Sequence, residues 1–173
     1  MITFITEFIN LPLKNFKKKD LSLSYYFASK WLNKKKELEK ENYPTNPYYP
    51  EQRVYPTKKD ELVRSKSEVL IADMYYEMGI PYRYEAELDL KNGKKKYPDF
   101  TLLKTSTRET LYHEHLGLMD DEEYREANLA KLKEYRKNGI YPGKNLILTY
   151  EAEGHYLNIK DVRKVVREIF FSL

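Results

Sequence analysis

The sequence predicts an α/β fold, a mixed sheet flanked by helices with a helical and extended arm in front of it, and three stretches carry that reading. Tyr82, Tyr84, Ala86, Leu88 and Leu90 alternate with Arg83, Glu85, Glu87 and Asp89, the period-two pattern of a strand with one buried face. Tyr124, Asn128, Lys131 and Tyr135 recur along a single helical face. Between that helix and a closing one, Leu146-Ile147-Leu148 makes a short apolar run that suits a buried strand. With 173 residues, 41% of them apolar, the chain can build one domain with a true core, residues 58–173, plus an arm, residues 1–57.

In the arm, short apolar pieces and a lysine run fill residues 1–19 and define no element. From Asp20 to about Glu41, the spacing of Tyr26, Phe27, Trp31 and Leu38 predicts an amphipathic helix whose charged tail, Lys34 to Lys40, stays in water. Tyr43-Pro44, Pro47-Tyr48-Tyr49-Pro50 and Tyr55-Pro56 then forbid a regular element, because proline lacks the amide donor that a helix or ladder needs. That segment is expected to lie extended over the domain.

The core opens with a predicted helix. Thr57 to Asp60 has the form of a capping box, and Gly79 and Pro81 stop the helix after Met78. Val63, Leu70, Met74 and Met78 form its apolar stripe, while Glu68 sits beside Ile71, Ala72 and Tyr75. After the alternating strand, Asn92-Gly93 supplies a hairpin turn into a second strand, Lys95 to Leu103, that Pro98 bends or places at an edge. Leu111 to Leu116 is the third strand, ended by Gly117. Its parity sets Tyr112, Glu114 and Leu116 on one face and His113 with His115 on the other. The next helix is predicted from Asp120, with Glu123 closing a box, to Asn138-Gly139. A strand over Lys144 to Tyr150 and a helix from about Asn158, with Val162, Val165, Val166, Ile169 and Phe170 on one side, complete the order.

Composition narrows the function classes. No apolar run approaches the roughly 20 residues that cross a bilayer, and the opening Met1 to Leu13 lacks a basic leader before an unbroken apolar centre. Zero cysteine excludes disulfides, thiolate zinc sites and a cysteine nucleophile, and together these features predict a cytoplasmic protein. The net charge of +4 is small, yet lysines cluster at 17–19, 34–36 and 94–96 and interleave with 17 tyrosines. Such a mix suits phosphate contacts with base stacking, as well as an ordinary solvated surface.

Glu68, Asp99, Glu114 and Lys131 are the candidate catalytic residues, delivered by a helix, a turn into a strand, a strand and a helix. Three carboxylates and an amine are the groups that metal-assisted phosphodiester hydrolysis uses. Three of them also have an ordinary reading. Glu68 can pair with Arg64 or Lys66 at a rim, Asp99 can cap a turn, and Lys131 can pack its stem while its amine reaches water. For His113 and His115, packing is favoured over a zinc site completed by His155.

Taken together, Pro98-Asp99, Glu114 and the helical Glu68 resemble the motif of the PD-(D/E)XK nuclease superfamily, whose restriction-endonuclease-like fold has an αβββαβ core. Where the family has a lysine two residues after the second acid, this chain has Leu116. Some members carry that lysine on the following helix, where Lys131 stands here. More narrowly, the segments Val63 to Glu68, Gly79 to Glu85, Tyr97 to Phe100, Glu114 to Asp121 and Asn138 to Gly143 are similar to bacterial and phage proteins of unassigned role. The likeness covers about 45–151. It implies a nuclease dependent on Mg²⁺ or Mn²⁺, acting on DNA rather than RNA as an endonuclease in a phage, mobile-element or defence setting, with a homodimer as one assembly. Asp99 and Glu114, with the backbone carbonyl of His115, would hold one ion, and Glu68 a second ion or an ordered water. Lys131 would orient the attacking water, while Lys66, Lys95, Lys96, His115 and Tyr135 would contact the nucleic acid. A nucleic-acid-binding module without turnover and a protein-interaction domain on the same fold are the alternatives.

Overall fold

A computed structural model describes residues 42–171. The predicted helix from Asp20 to Glu41 and the rest of the arm before it lie outside the described residues. Strands β1 (Tyr55–Pro56) and β2 (Leu62–Val63) form a small hairpin ahead of helix α1 (Lys66–Glu77), so the proline-rich stretch expected to hold no regular element supplies a short edge strand, where a missing amide donor is tolerated. Then come β3 (Tyr82–Tyr84), β4 (Leu88–Asp89), β5 (Lys95–Lys96), β6 (Phe100–Lys104), β7 (Glu109–Leu116), helix α2 (Glu122–Lys137), β8 (Leu146–Tyr150) and helix α3 (Ile159–Phe171).

The architecture is mixed α/β. One sheet has the order β3-β6-β7-β8, antiparallel from β3 to β7 and parallel between β7 and β8. The parallel pair follows from α2, which carries the chain back across the sheet between β7 and β8. Two apolar clusters cover the two faces. Ile71, Met74 and Tyr75 of α1 and Val166 and Phe170 of α3 pack with Tyr82, Phe100, Leu102 and Ile147 of the sheet. On the opposite face, Tyr135 of α2 packs with Leu90, Ile140 and Leu146, with Tyr112 and Leu148 at its edge.

Several predicted boundaries move, each for a local reason. Helix α1 does not start at Thr57. Its N-cap is Ser65, whose hydroxyl accepts from the Glu68 amide while the Glu68 carboxylate accepts from the Ser65 amide. The Thr57 to Asp60 box becomes the turn of the β1-β2 hairpin, with Asp60 in the left-handed region at φ 60. Leu70 and Val165, expected in apolar stripes, are exposed at 46% and 49%. Helix α2 is capped by Asp121 rather than Asp120, and Asp121 accepts from the Tyr124 amide at 2.7 Å. The two long strands of the hairpin are each interrupted, by Glu85 at φ 45 and by Pro98, so that β4 and β5 pair separately around the Gly93 turn.

The interruption at Glu85 anchors the arm. Residues 42–57 run beside the end of β3, with the Asn46 amide donating to the Glu85 carbonyl at 3.0 Å and the Glu87 amide to Pro44 at 2.9 Å. The buried Glu85 carboxylate accepts from Arg53 Nε at 2.8 Å, Arg64 Nε at 2.9 Å and Asn46 Nδ2 at 2.9 Å. Both arginines lie on segments that flank the sheet edge, so a single carboxylate ties arm, hairpin and β3 together. Replacing Glu85 by alanine strands two guanidinium groups in a largely buried setting. The variant Glu85→Ala is expected to lose about 2–4 kcal/mol of stability in urea denaturation. It should also expose residues 42–57 to limited proteolysis before the core unfolds.

Candidate active site

Strand β7 is covered on both faces, and its alternation sorts its side chains between them. His113 meets Tyr75 of α1, with Tyr75 Oη and His113 Nδ1 sharing a hydrogen bond of 2.7 Å. Glu114, fully buried, meets α2 instead. Lys131 Nζ donates to Glu114 Oε2 at 2.7 Å, and Tyr135 Oη donates to Glu114 Oε1 at 2.6 Å. Four residues apart on α2, Lys131 and Tyr135 share the stripe that faces the sheet, so the helix delivers both donors to one carboxylate.

Asp99 lies immediately before β6. The antiparallel register pairs Phe100 with His113, and one residue further along it sets Asp99 across from Glu114. Asp99 Oδ2 accepts from the His115 amide at 2.6 Å, and this is its hydrogen bond among the described residues. The residue is half-buried, so this end of the carboxylate pair retains a path to solvent.

Charge is unbalanced here. Burial raises the Asp99 carboxyl well above its ordinary value, the Glu114 charge raises it further, and Lys131 acts in the opposite direction. Burial would lower the Lys131 amine, but the Glu114 and Asp99 carboxylates outweigh it and hold the amine above its usual value, as an ammonium. Tyr135 is raised by burial and then by Glu114, which keeps its hydroxyl protonated and donating.

Glu68 is buried at the start of α1, where its Oε2 accepts from the Arg64 amide at 2.9 Å and the Ser65 amide at 2.7 Å. It therefore works as a helix cap, and its charge reaches Asp99 as a further upward influence. Among the described residues no three His, Asp or Glu side chains are grouped closely enough to hold a metal ion by themselves. Of the predicted nucleic-acid contacts, Tyr135 is at the centre of the site, whereas Lys66 is exposed at the start of α1. Lys95 donates to Glu87 at 2.6 Å, and Lys96 is half-buried on β5.

The His115 ring points away from Glu114, as strand parity requires. His113 Nε2 and His115 Nδ1 both share hydrogen bonds with Thr149 Oγ1, at 2.9 and 2.8 Å, and His115 Nε2 reaches Glu151 Oε2 at 3.3 Å. Burial, and then the neighbouring His115, lower the pKa of His113 to about 3, so it packs as a neutral ring. His155 is exposed and shares no site with this pair, which leaves the zinc alternative without its third nitrogen.

Two features were missed in the sequence. Tyr124, on the α2 stripe, accepts from the Gly117 amide at 3.2 Å and brings its hydroxyl near the carboxylates; its helical spacing from Lys131 was the available signal. Beyond Gly117 opens a cleft lined by Leu118, Asp120, Asp121, Glu151, Glu153 and Tyr156. Its acidic character comes from loops, where periodicity gives no guidance.

No family model matches the chain. An uncharacterized protein of Methanocaldococcus jannaschii is 35% identical to it over 94 residues, which are 53% of this chain and 8% of that protein. The chain thus matches less than a tenth of that relative's length.

The Glu114–Lys131 contact is directly measurable. Lys131→Met leaves a buried carboxylate without its cation and is expected to cost about 3 kcal/mol in urea denaturation. Combined with Glu114→Gln, the loss should shrink, giving a coupling of about 1.5 kcal/mol or more in the double-mutant cycle. Strict additivity of the two changes would contradict the ion pair.

Proposed function

We propose that this protein hydrolyses phosphodiester bonds of nucleic acid, DNA in preference to RNA, with a divalent cation at Asp99 and Glu114 on a restriction-endonuclease-like scaffold. The observation that carries the reading is the pairing of these two carboxylates across neighbouring strands with a lysine ammonium 2.7 Å from one of them. The order of α1, the sheet strands and α2 agrees with the αβββαβ core of that fold.

The donor chemistry fits a hard cation. The groups are carboxylate oxygens, which suit Mg²⁺ or Mn²⁺, and a bound cation would offset the burial, and then the Glu114 charge, that raise Asp99. Asp99 and Glu114, with the His115 carbonyl, would be its protein ligands, and water would complete the shell. Glu68, already engaged as a cap, acts on the site through its charge. Bound there, the cation supplies Lewis-acid stabilisation of the phosphate and a lowered pKa for an attacking water.

The chain's own residues supply the rest. Lys131 offers a fixed positive charge to a non-bridging phosphate oxygen, in a partly desolvated position where such a charge counts for more than in water. Tyr135 fixes the orientation of Glu114 from behind, and the Asp99 bond to the His115 amide fixes the other carboxylate. In the second reading, the fold binds nucleic acid without turnover. Leu116, which stands where the resembled motif carries its lysine, favours it.

The two readings separate in one assay. Plasmid and oligonucleotides incubated with the full chain and Mg²⁺ or Mn²⁺ should be cut. Asp99→Ala, Glu114→Ala and Lys131→Ala should each slow cutting by about 10²-fold or more. Mn²⁺ should also raise the melting temperature of the wild type but not of Asp99→Asn. Cleavage that survives both acid-to-alanine changes overturns the proposal, and salt-sensitive binding without cleavage selects the second reading.

A further inference from the structure

We propose that Tyr48 and Tyr49, with Tyr97, form a stacking platform for unpaired bases, so that the preferred substrate carries a single-stranded stretch beside the phosphate to be cut. The inference rests on the hydrolytic reading for the site that the platform serves, while its own test measures binding without turnover.

Tyr48 and Tyr49 are exposed at 64% and 65%, although their backbone is held on every side. Arg64 donates from Nη2 to the Tyr48 carbonyl at 2.6 Å and from Nη1 to the Tyr49 carbonyl at 2.7 Å. Asn46 Oδ1 accepts from the Tyr48 amide at 3.0 Å, and the Gln52 amide donates to the Tyr49 carbonyl at 3.1 Å. Tyr49 itself is in the left-handed region, at φ 50 and ψ 53, where a residue with a side chain is uncommon. Arg64 is fixed in turn by the buried Glu85 carboxylate. The result is a pair of aromatic side chains on a rigid backbone with their area open to solvent. Such a pair offers contact surface at low entropic cost, and observed backbone strain of this sort concentrates at functional positions.

Position ties the pair to the candidate site. The Tyr48 ring meets the Tyr97 ring edge-to-face, with centroids 6.3 Å apart at 78°. Tyr97 precedes Asp99 by two residues, about 7 Å of extended chain. The sheet order β3-β6-β7-β8 then gives the site two unlike flanks. On the β7-β8 side lies the cleft with Asp120, Asp121, Glu151 and Glu153, which repels a phosphate backbone. On the β3-β6 side lie the tyrosines, with Lys96 on neighbouring β5 and with the Glu87 carboxylate, which accepts from the Tyr97 hydroxyl at 3.2 Å, offset by Lys95 at 2.6 Å. A strand leaving the site is steered toward the rings. Aromatic rings accept any unpaired base, because every base has a π face, whereas paired bases keep theirs inside the duplex stack.

The test uses the full chain in EDTA, with a single-stranded oligonucleotide containing 2-aminopurine and a blunt duplex of the same sequence. Wild type should bind the single strand more tightly and shift 2-aminopurine fluorescence through stacking. Tyr48→Ala with Tyr49→Gly, which suits the left-handed backbone, should weaken single-strand binding by about tenfold or more. Duplex binding should stay within about twofold, while Tyr48→Phe with Tyr49→Phe, keeping the rings, should bind as wild type does. Unchanged single-strand binding by the ring-deleted variant, or equal loss for single strand and duplex, overturns the platform. Cleavage with unaltered preference for unpaired substrate in that variant rejects the platform and leaves the hydrolytic reading standing. Ring-dependent binding without any cleavage does the reverse.

Discussion

A fully buried glutamate organises the centre of this protein. Glu114 has no contact with water, so its charge requires compensation from within the fold, and both of its oxygens receive it from one helix. An uncompensated carboxylate in that place would cost several kcal/mol. The same pair of contacts therefore fixes how α2 lies on the sheet: moving the helix by one turn would put Ala127 or Gly139 where one of the two donors stands and leave one carboxylate oxygen without a partner. Tyr135, buried in the apolar cluster on this face, contributes packing through its ring and a hydrogen bond through its hydroxyl. Stability and site geometry depend on one interaction.

The sheet makes the converse arrangement on its other face. There the histidines of β7 turn away from Glu114 and, with Tyr75 and Thr149, make a polar chain inside an apolar cluster. Hydrogen bonding satisfies these groups, with the Glu151 carboxylate beside His115 Nε2 at the outer end, and burial holds His113 neutral. The alternation of a single strand thus separates the Glu114–Lys131 pair from a packing network of histidines. A shift of β7 by one residue would bury the imidazoles against Lys131 and aim Glu114 at Tyr75, so register carries both the core and the candidate chemistry.

Much of this separation was legible in the sequence. Strand parity placed Glu114 opposite His113 and His115, and helical spacing placed Lys131 and Tyr135 together, because both rules depend on backbone periods that tertiary packing seldom changes. Boundaries were harder to read. Thr57 to Asp60 and Ser65 to Glu68 carry nearly the same capping signature, and local pattern does not show that pairing of Tyr55–Pro56 with Leu62–Val63 uses up the first. Likewise the alternation from Tyr82 to Leu90 continues past Glu85, although its buried contacts with Arg53 and Arg64 turn the backbone there. Those partners lie far off in the chain, beyond any window. For Glu68 the sequence offered a side-chain pairing with Arg64 or Lys66 at a rim, whereas its carboxylate accepts from the backbone amides of Arg64 and Ser65, because Ser65 and not Thr57 caps the helix.

The electrostatics of the site explain why its ion pair does not complete it. Lys131 balances one negative charge, while Glu114 and Asp99 together carry two when both are ionised, and Glu68 adds to the field. Asp99 bears the excess, since its bond to the His115 amide stabilises its anion only in part. Solvent reaches that residue rather than Glu114, so neutralisation from outside, by a proton or by a cation, falls on Asp99. Lys131 and Tyr135 hold the buried member of the pair from within the fold, and the half-buried member faces what arrives from solvent. Compensation from within the fold is thus complete for Glu114 and incomplete for Asp99, the member of the pair that solvent reaches.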